Sequence, residues 1–176
     1  MTFSKLEIEG AYLIQDTVFR DERGAFTQAW ETSEFLKAGI SITISSSCFS
    51  YNISAGILRG LHYQSEPFGQ SKIVSCVAGK LYDVILDLRK DSSSYLHWKA
   101  IELEAISGQA IYIPKGCAHG FLTLMDHTVV SYFIEGDYNP QAAGVVRWND
   151  PAISIKWPET DPVLSEKDRN AVDFIK

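Results

Sequence analysis

Apolar and polar residues alternate along most of this chain with a period of two. In "KLYDVILDL", residues 80–88, Tyr82, Val84, Leu86 and Leu88 fall on one side, with Asp83, Ile85 and Asp87 on the other. That alternation is the mark of a β-strand. Further runs of this kind are "SITISSSCFSYNI", "ILRGLHYQ", "SKIVSCV", "WKAIELEAI", "QAIYIP", "GFLTLM" and "TVVSYFI". Gly, Pro, Asp and Ser separate them, and turns are expected at "AGK" (78–80) and "SGQ" (107–109). Helix is scarce. "TSEFLKAGI" predicts a short one with Thr32 or Ser33 as N-cap and Gly39 closing it, and "SEKDRNAV" another capped by Ser165. Many short strands with so little helix predict an all-β fold, a double-sheet barrel of jelly-roll type with a few short flanking helices. A ligand in such a fold lies in the barrel mouth.

One run carries polar residues where a strand should be apolar. In "ILRGLHYQ", residues 57–64, strict alternation puts Arg59 with Ile57, Leu61 and Tyr63, and His62 with Leu58, Gly60 and Gln64. On that reading Gly60 leaves open space beside the imidazole, as the wall of a cavity would need.

At 176 residues, 45% hydrophobic and 22% charged, the chain suits a single globular domain over 1–176. No apolar run is long enough to span a bilayer, and "MTFSKLEIEG" lacks a signal-peptide core, so a cytoplasmic protein is expected. The three cysteines, Cys48, Cys76 and Cys117, form no CxxC pair and read as buried reduced thiols. A net charge of −6 argues against a nucleic-acid partner. An anionic small ligand then needs cations gathered locally, with Arg20, Arg23, Arg59, Lys72, Lys115 and Lys167 as candidates.

Of the four histidines, His97 and His127 sit at strand ends or turns and read as surface residues. His62 and His119 each lie beside a glycine with a cation a few residues upstream. The chain has no HxH or HxxxH pair, so no metal is expected, and proton transfer is the natural task for these imidazoles. A histidine base needs an orienting carboxylate, for which Asp168, Asp83 and Asp87 are candidates. Asp168 reads equally well as the acidic member of a capping box in "SEKD". Tyr132 is either a core tyrosine or the complementary acid, and Lys72 either an edge-strand charge or an inward cation for an anion.

Taken in order, the blocks "VFRDERGAF", "LRGLHYQ", "KIVSCVAGKLYDVILDLRKDS", "IPKGCAHGF", "WNDPAISIKWP" and "LSEKD" resemble the dTDP-4-dehydrorhamnose 3,5-epimerase family over nearly the whole chain. The resemblance implies a cupin-type jelly roll without a cofactor, and a homodimer in which an N-terminal strand crosses to the partner subunit. It implies His62 as base with Asp168 as its partner, Tyr132 as proton donor from the opposite side, and Lys72 as stabiliser of the enolate. It also implies that Arg59, His119 and Lys167 contact a nucleotide-sugar substrate, that Phe19 and Arg23 help hold the nucleotide, and that Tyr138 stacks on the base. The sequence departs from the family's pattern at Gln28, at Ser47 and Phe49 in "SCF", and at Ala143, all expected on the nucleotide side. Those departures leave a CDP- or GDP-linked sugar, or inversion at C3 or C5 alone, as alternatives. A sugar-binding cupin without turnover should lack the histidine, its acid or the tyrosine, and this chain keeps all three.

Overall fold

A computed structural model describes residues 1–174. Two antiparallel sheets face each other. One has six strands in the order β1 (Thr2–Lys5), β2 (Tyr12–Gln15), β10 (Gln109–Ile113), β7 (Ser71–Ala78), β12 (Val129–Glu135) and β5 (Ser46–Tyr51). The other has five, in the order β13 (Ala143–Val145), β6 (Leu58–Gln64), β11 (Cys117–Thr123), β8 (Lys80–Asp87) and β9 (Trp98–Glu104). Neighbouring strands often come from distant parts of the chain, as a jelly roll requires, and the expected all-β barrel of cupin type is what forms. Gly79 and Gly108, at φ +74° and +73°, make the two turns expected there.

The alternation read in 80–88 now has a structural cause. Leu81 and Ile85 point between the sheets, where Val74, Ile111, Phe121 and Val130 meet them. Val84 and Leu86 point the other way and are covered by Val146, Ile153 and Ile155 from the chain after β13. The outer face of the six-stranded sheet is covered in turn by Phe35, Ile40 and Ile42. Phe35 comes from helix α1 (Thr32–Lys37). The helix is where the sequence places it, but its N-cap is Glu31, whose carboxylate accepts the Ser33 N–H, rather than Thr32 or Ser33. Burial on both faces explains how β8 tolerates only inward polar residues that find partners.

Strict alternation fails in β6. His62 pairs with His119 and Arg59 with Phe121, so three steps on β6 match two on β11. This bulge turns Arg59 and His62 to the same side, toward the barrel interior, and overturns their expected placement on opposite faces. It lies at Gly60, which has φ +132° and would put a Cβ 2.5 Å from the Gly120 Cα. Glycine is therefore needed for the close approach of two backbones, not to open space beside the imidazole.

β1 and β2 pair within their own chain, β2 also joining β10. The N-terminal part that stands apart from both sheets is the hairpin of β3 (Phe19–Asp21) and β4 (Gly24–Phe26). Its Phe19 and Phe26 are 63% and 69% exposed, an unusual state for two neighbouring aromatics. No helix among the described residues is long and apolar enough to cross a membrane.

Candidate active site

At one end of the barrel the inward positions turn from apolar to polar. Arg59, His62, Lys72, His119 and Tyr132, from four strands of the two sheets, line an inner cavity of about 310 Å³ together with Cys48 and Ser50. It opens onto an outer cavity of about 630 Å³ that shares Arg59, His62 and Lys72 and adds Tyr51, Tyr138, Lys167 and Asp168. Three of the six candidate cations, Arg59, Lys72 and Lys167, thus gather at one place despite the negative net charge. Lys115 is instead paired with Glu135 at 3.3 Å.

Asp168 reaches His62 through the end of the chain. Val163 runs beside β6, bonded to Gly56 and Leu58, and leads into the short helix α2 (Glu166–Arg169). Ser165 caps that helix as expected, its Oγ accepting the Asp168 N–H at 3.1 Å. The Asp168 carboxylate takes no part in the cap. Its Oδ1 lies 2.7 Å from His62 Nε2, and its Oδ2 accepts the Gly60 N–H at 3.4 Å. The capping-box reading of the Asp168 side chain is thus overturned: its backbone N–H joins the cap, while its carboxylate pairs with His62. Burial opposes the carboxylate's charge, but the hydrogen bond and charge of His62 and the N–H of Gly60 outweigh it and hold its pKa below the usual range. The His62 side chain is 43% exposed and that of Asp168 only 3%, so the imidazole meets the cavity while its partner is shielded. With Nε2–H donating to Asp168, Nδ1 keeps its lone pair and is free to take a proton.

Tyr132 and Lys72 come from the sheet opposite His62. Burial raises the Tyr132 pKa strongly and Asp83 adds to it, with Arg59 opposing, so the group stays a phenol with a proton to give. Lys72 is the inward cation of the two readings. Burial lowers its pKa, and the charge of Asp83 partly restores it. His119 is 5% exposed and bonds Asp83 Oδ2 at 2.8 Å, making a second imidazole–carboxylate pair deep in the barrel. Asp83 Oδ1 has no hydrogen-bond partner there.

Other expected site residues stand elsewhere in the single chain. Ser47 and Phe49 lie on the far face of β5, because Cys48 pairs with the inward Tyr132 and puts its two neighbours outside. Cys48 and Ser50 are polar inner-cavity residues that residue order does not single out, and inward register against Tyr132 is the signal that finds them. The expectation of three buried thiols fails at Cys48, which is exposed, and holds for Cys76 and Cys117. Phe19 and Arg23 lie on the projecting hairpin, where Arg23 pairs with Asp21. Gln28 bonds Glu31 near the hairpin's base. Ala143 lines the outer cavity. Among the described residues no group of three or more His, Cys, Asp and Glu side chains is placed to hold a metal ion.

A carboxylate-held imidazole facing a phenol, with an ammonium in the same cavity, suits proton transfer at a carbon next to a carbonyl. The barrel is that of an isomerase acting on carbohydrates. A family model described as dTDP-4-dehydrorhamnose 3,5-epimerase matches residues 5–176. A curated dTDP-4-dehydrorhamnose 3,5-epimerase of Sinorhizobium fredii is 40% identical over 169 residues, covering 96% of this chain and 87% of the relative. The crystal structure of the Bacillus anthracis dTDP-4-dehydrorhamnose 3,5-epimerase with TDP and PPi bound superposes with a TM-score of 0.95 at 36% identity, covering 98% of this chain and 99% of the other. A dTDP-4-dehydrorhamnose 3-epimerase of Streptomyces niveus is 34% identical, covering 98% of this chain and 83% of the relative. The chain belongs to the dTDP-4-dehydrorhamnose 3,5-epimerase family.

Proposed function

We propose that this protein inverts C3 and C5 of a dTDP-linked 4-keto-6-deoxyhexose in deoxysugar biosynthesis. The C4 carbonyl acidifies the neighbouring C–H bonds. His62 Nδ1 takes the proton, the C–H electron pair moves into the carbonyl, and the resulting enolate oxygen is held by the Lys72 ammonium. The electrons then return to carbon, which takes a proton from Tyr132 on the other face of the ring. Solvent removes the proton from His62 and restores the one on Tyr132, so the enzyme resets without a redox partner. The observation that carries this reading is the placement of His62 and Tyr132 on opposite sheets across one cavity. An acid and a base facing each other are what inversion needs.

Arg59 and Lys167 suit the diphosphate, His119 the sugar, and the exposed ring of Tyr138 the base. The test offers the purified protein dTDP-, CDP- and GDP-linked 4-keto-6-deoxyhexoses in heavy water and reads the products by NMR. Deuterium at C3 and C5 of the dTDP sugar is expected; no isotope at either carbon of any substrate refutes the proposal. Inversion at C3 alone is the second reading, supported by the Streptomyces niveus relative's name.

Phe19 and Arg23, on their separate hairpin, line neither the inner nor the outer cavity of their own chain. We infer a homodimer in which the hairpin of each subunit reaches the nucleotide end of its partner's site. Light scattering should then give twice 19.7 kDa, and a monomer at working concentration would refute it. The two buried free thiols fit a reducing compartment, and we place the protein in the cytoplasm on that ground.

A further inference from the structure

Asn52 follows β5, is 3% exposed, and has a hydrogen bond at both ends of its amide. Nδ2 donates to the carbonyls of Ser50, at 3.2 Å, and Thr128, at 3.0 Å. Oδ1 accepts from Ser50 Oγ at 3.4 Å and from Arg59 Nε at 2.8 Å. The amide has only one workable orientation. Flipped, it would set N–H against N–H at Arg59 and oxygen against two carbonyls.

Arg59 is therefore gripped by its inner nitrogen. Its Nη2 lies 3.5 Å from the Tyr51 carbonyl, at the limit of a hydrogen bond, and the outer edge of the guanidinium remains at the cavity wall. That edge is the one that forks onto phosphate oxygens. An exposed arginine otherwise samples many rotamers and loses that freedom on binding.

We propose that Asn52 is a positioning residue for anion capture, fixing the Arg59 fork toward the diphosphate before the nucleotide sugar arrives. This rests on the reading of Arg59 as a diphosphate contact. Asn52 touches no reacting atom, so its loss should fall on KM rather than on kcat.

The test is a double-mutant cycle read by calorimetric binding of dTDP, which needs no turnover. Arg59→Ala and Asn52→Ala should each weaken dTDP binding about tenfold, in line with loss of a charge-assisted hydrogen bond. The double variant should bind no more weakly than Arg59→Ala alone. If Asn52→Ala weakens binding equally with and without Arg59, its role is structural and the proposal fails. If Arg59→Ala weakens binding and Asn52→Ala does not, the proposal fails while the Arg59 reading stands. If Arg59→Ala leaves binding unchanged, both fail together. Should Asn52→Ala fold poorly, Asn52→Ser gives the same comparison, since it keeps a hydroxyl donor for the nearby carbonyls and withdraws the acceptor from Nε.

Discussion

His62→Ala should turn over its substrate about 10²–10⁴-fold more slowly than the parent, the range for loss of a general base. The barrel should survive. The imidazole is 43% exposed and belongs to none of the three apolar clusters, so its removal opens no core cavity. What it does remove is a hydrogen bond to a buried carboxylate, costing on the order of 1–3 kcal/mol, and Asp168 keeps its bond from Gly60. Circular dichroism and melting would establish the fold, and product NMR the rate. Near-parental turnover in a folded variant refutes His62 as the base. Asp168→Asn supplies the matching control. The cap uses the Asp168 backbone N–H and not its carboxylate, so this change should leave the cap intact, lower melting only through the weakened bonds to His62 and Gly60, and slow the reaction. A lowered melting point with intact activity would mean that the carboxylate's role is structural only.

Tyr132→Phe should separate two events that the parent joins. Abstraction at carbon by His62 continues, because neither the dyad nor Lys72 has changed, and hydrogen–deuterium exchange at the sugar persists. Net inversion falls by about 10²-fold or more, since the enolate is now reprotonated from the His62 face, which restores the starting configuration. The phenol makes no hydrogen bond within the described residues, so phenylalanine strands no buried partner and stability should hold. Time-resolved proton NMR in heavy water reads exchange and stereochemistry together. If inversion at both carbons proceeds at the parental rate, Tyr132 is not the donor.

Much of this site could be read from residue order, and what could not has identifiable causes. Period-two alternation gave the faces of β8 correctly, because both faces pack against apolar neighbours that punish any slip. It misled at β6, where a bulge adds a residue at Gly60 and no periodic reading can anticipate the changed phase. It left Lys72 undecided, since inward and edge placement look alike until the opposite sheet supplies Asp83. Asp168 lies more than a hundred residues from His62, and only the path of the chain past Gly56 and Leu58 joins them. Ser47 and Phe49 face away from the inner cavity that Cys48 and Ser50 line, and which set of β5 turns inward is fixed by register against Tyr132. Phe19 and Arg23 pose a different problem, because they line neither cavity of their own chain and their role rests on the proposed dimer.

The carboxylate behind the imidazole rides on a helix of only four residues, tied to the barrel through Val163 before it and through Asp173 and Phe174 after it. A helix this short is held by those ties rather than by its own bonds, and it opens more readily than the strands it leans on. Warming or proteolytic nicking there acts as a fuse: it disarms the dyad while the sheets stay whole, so thermal inactivation should precede melting.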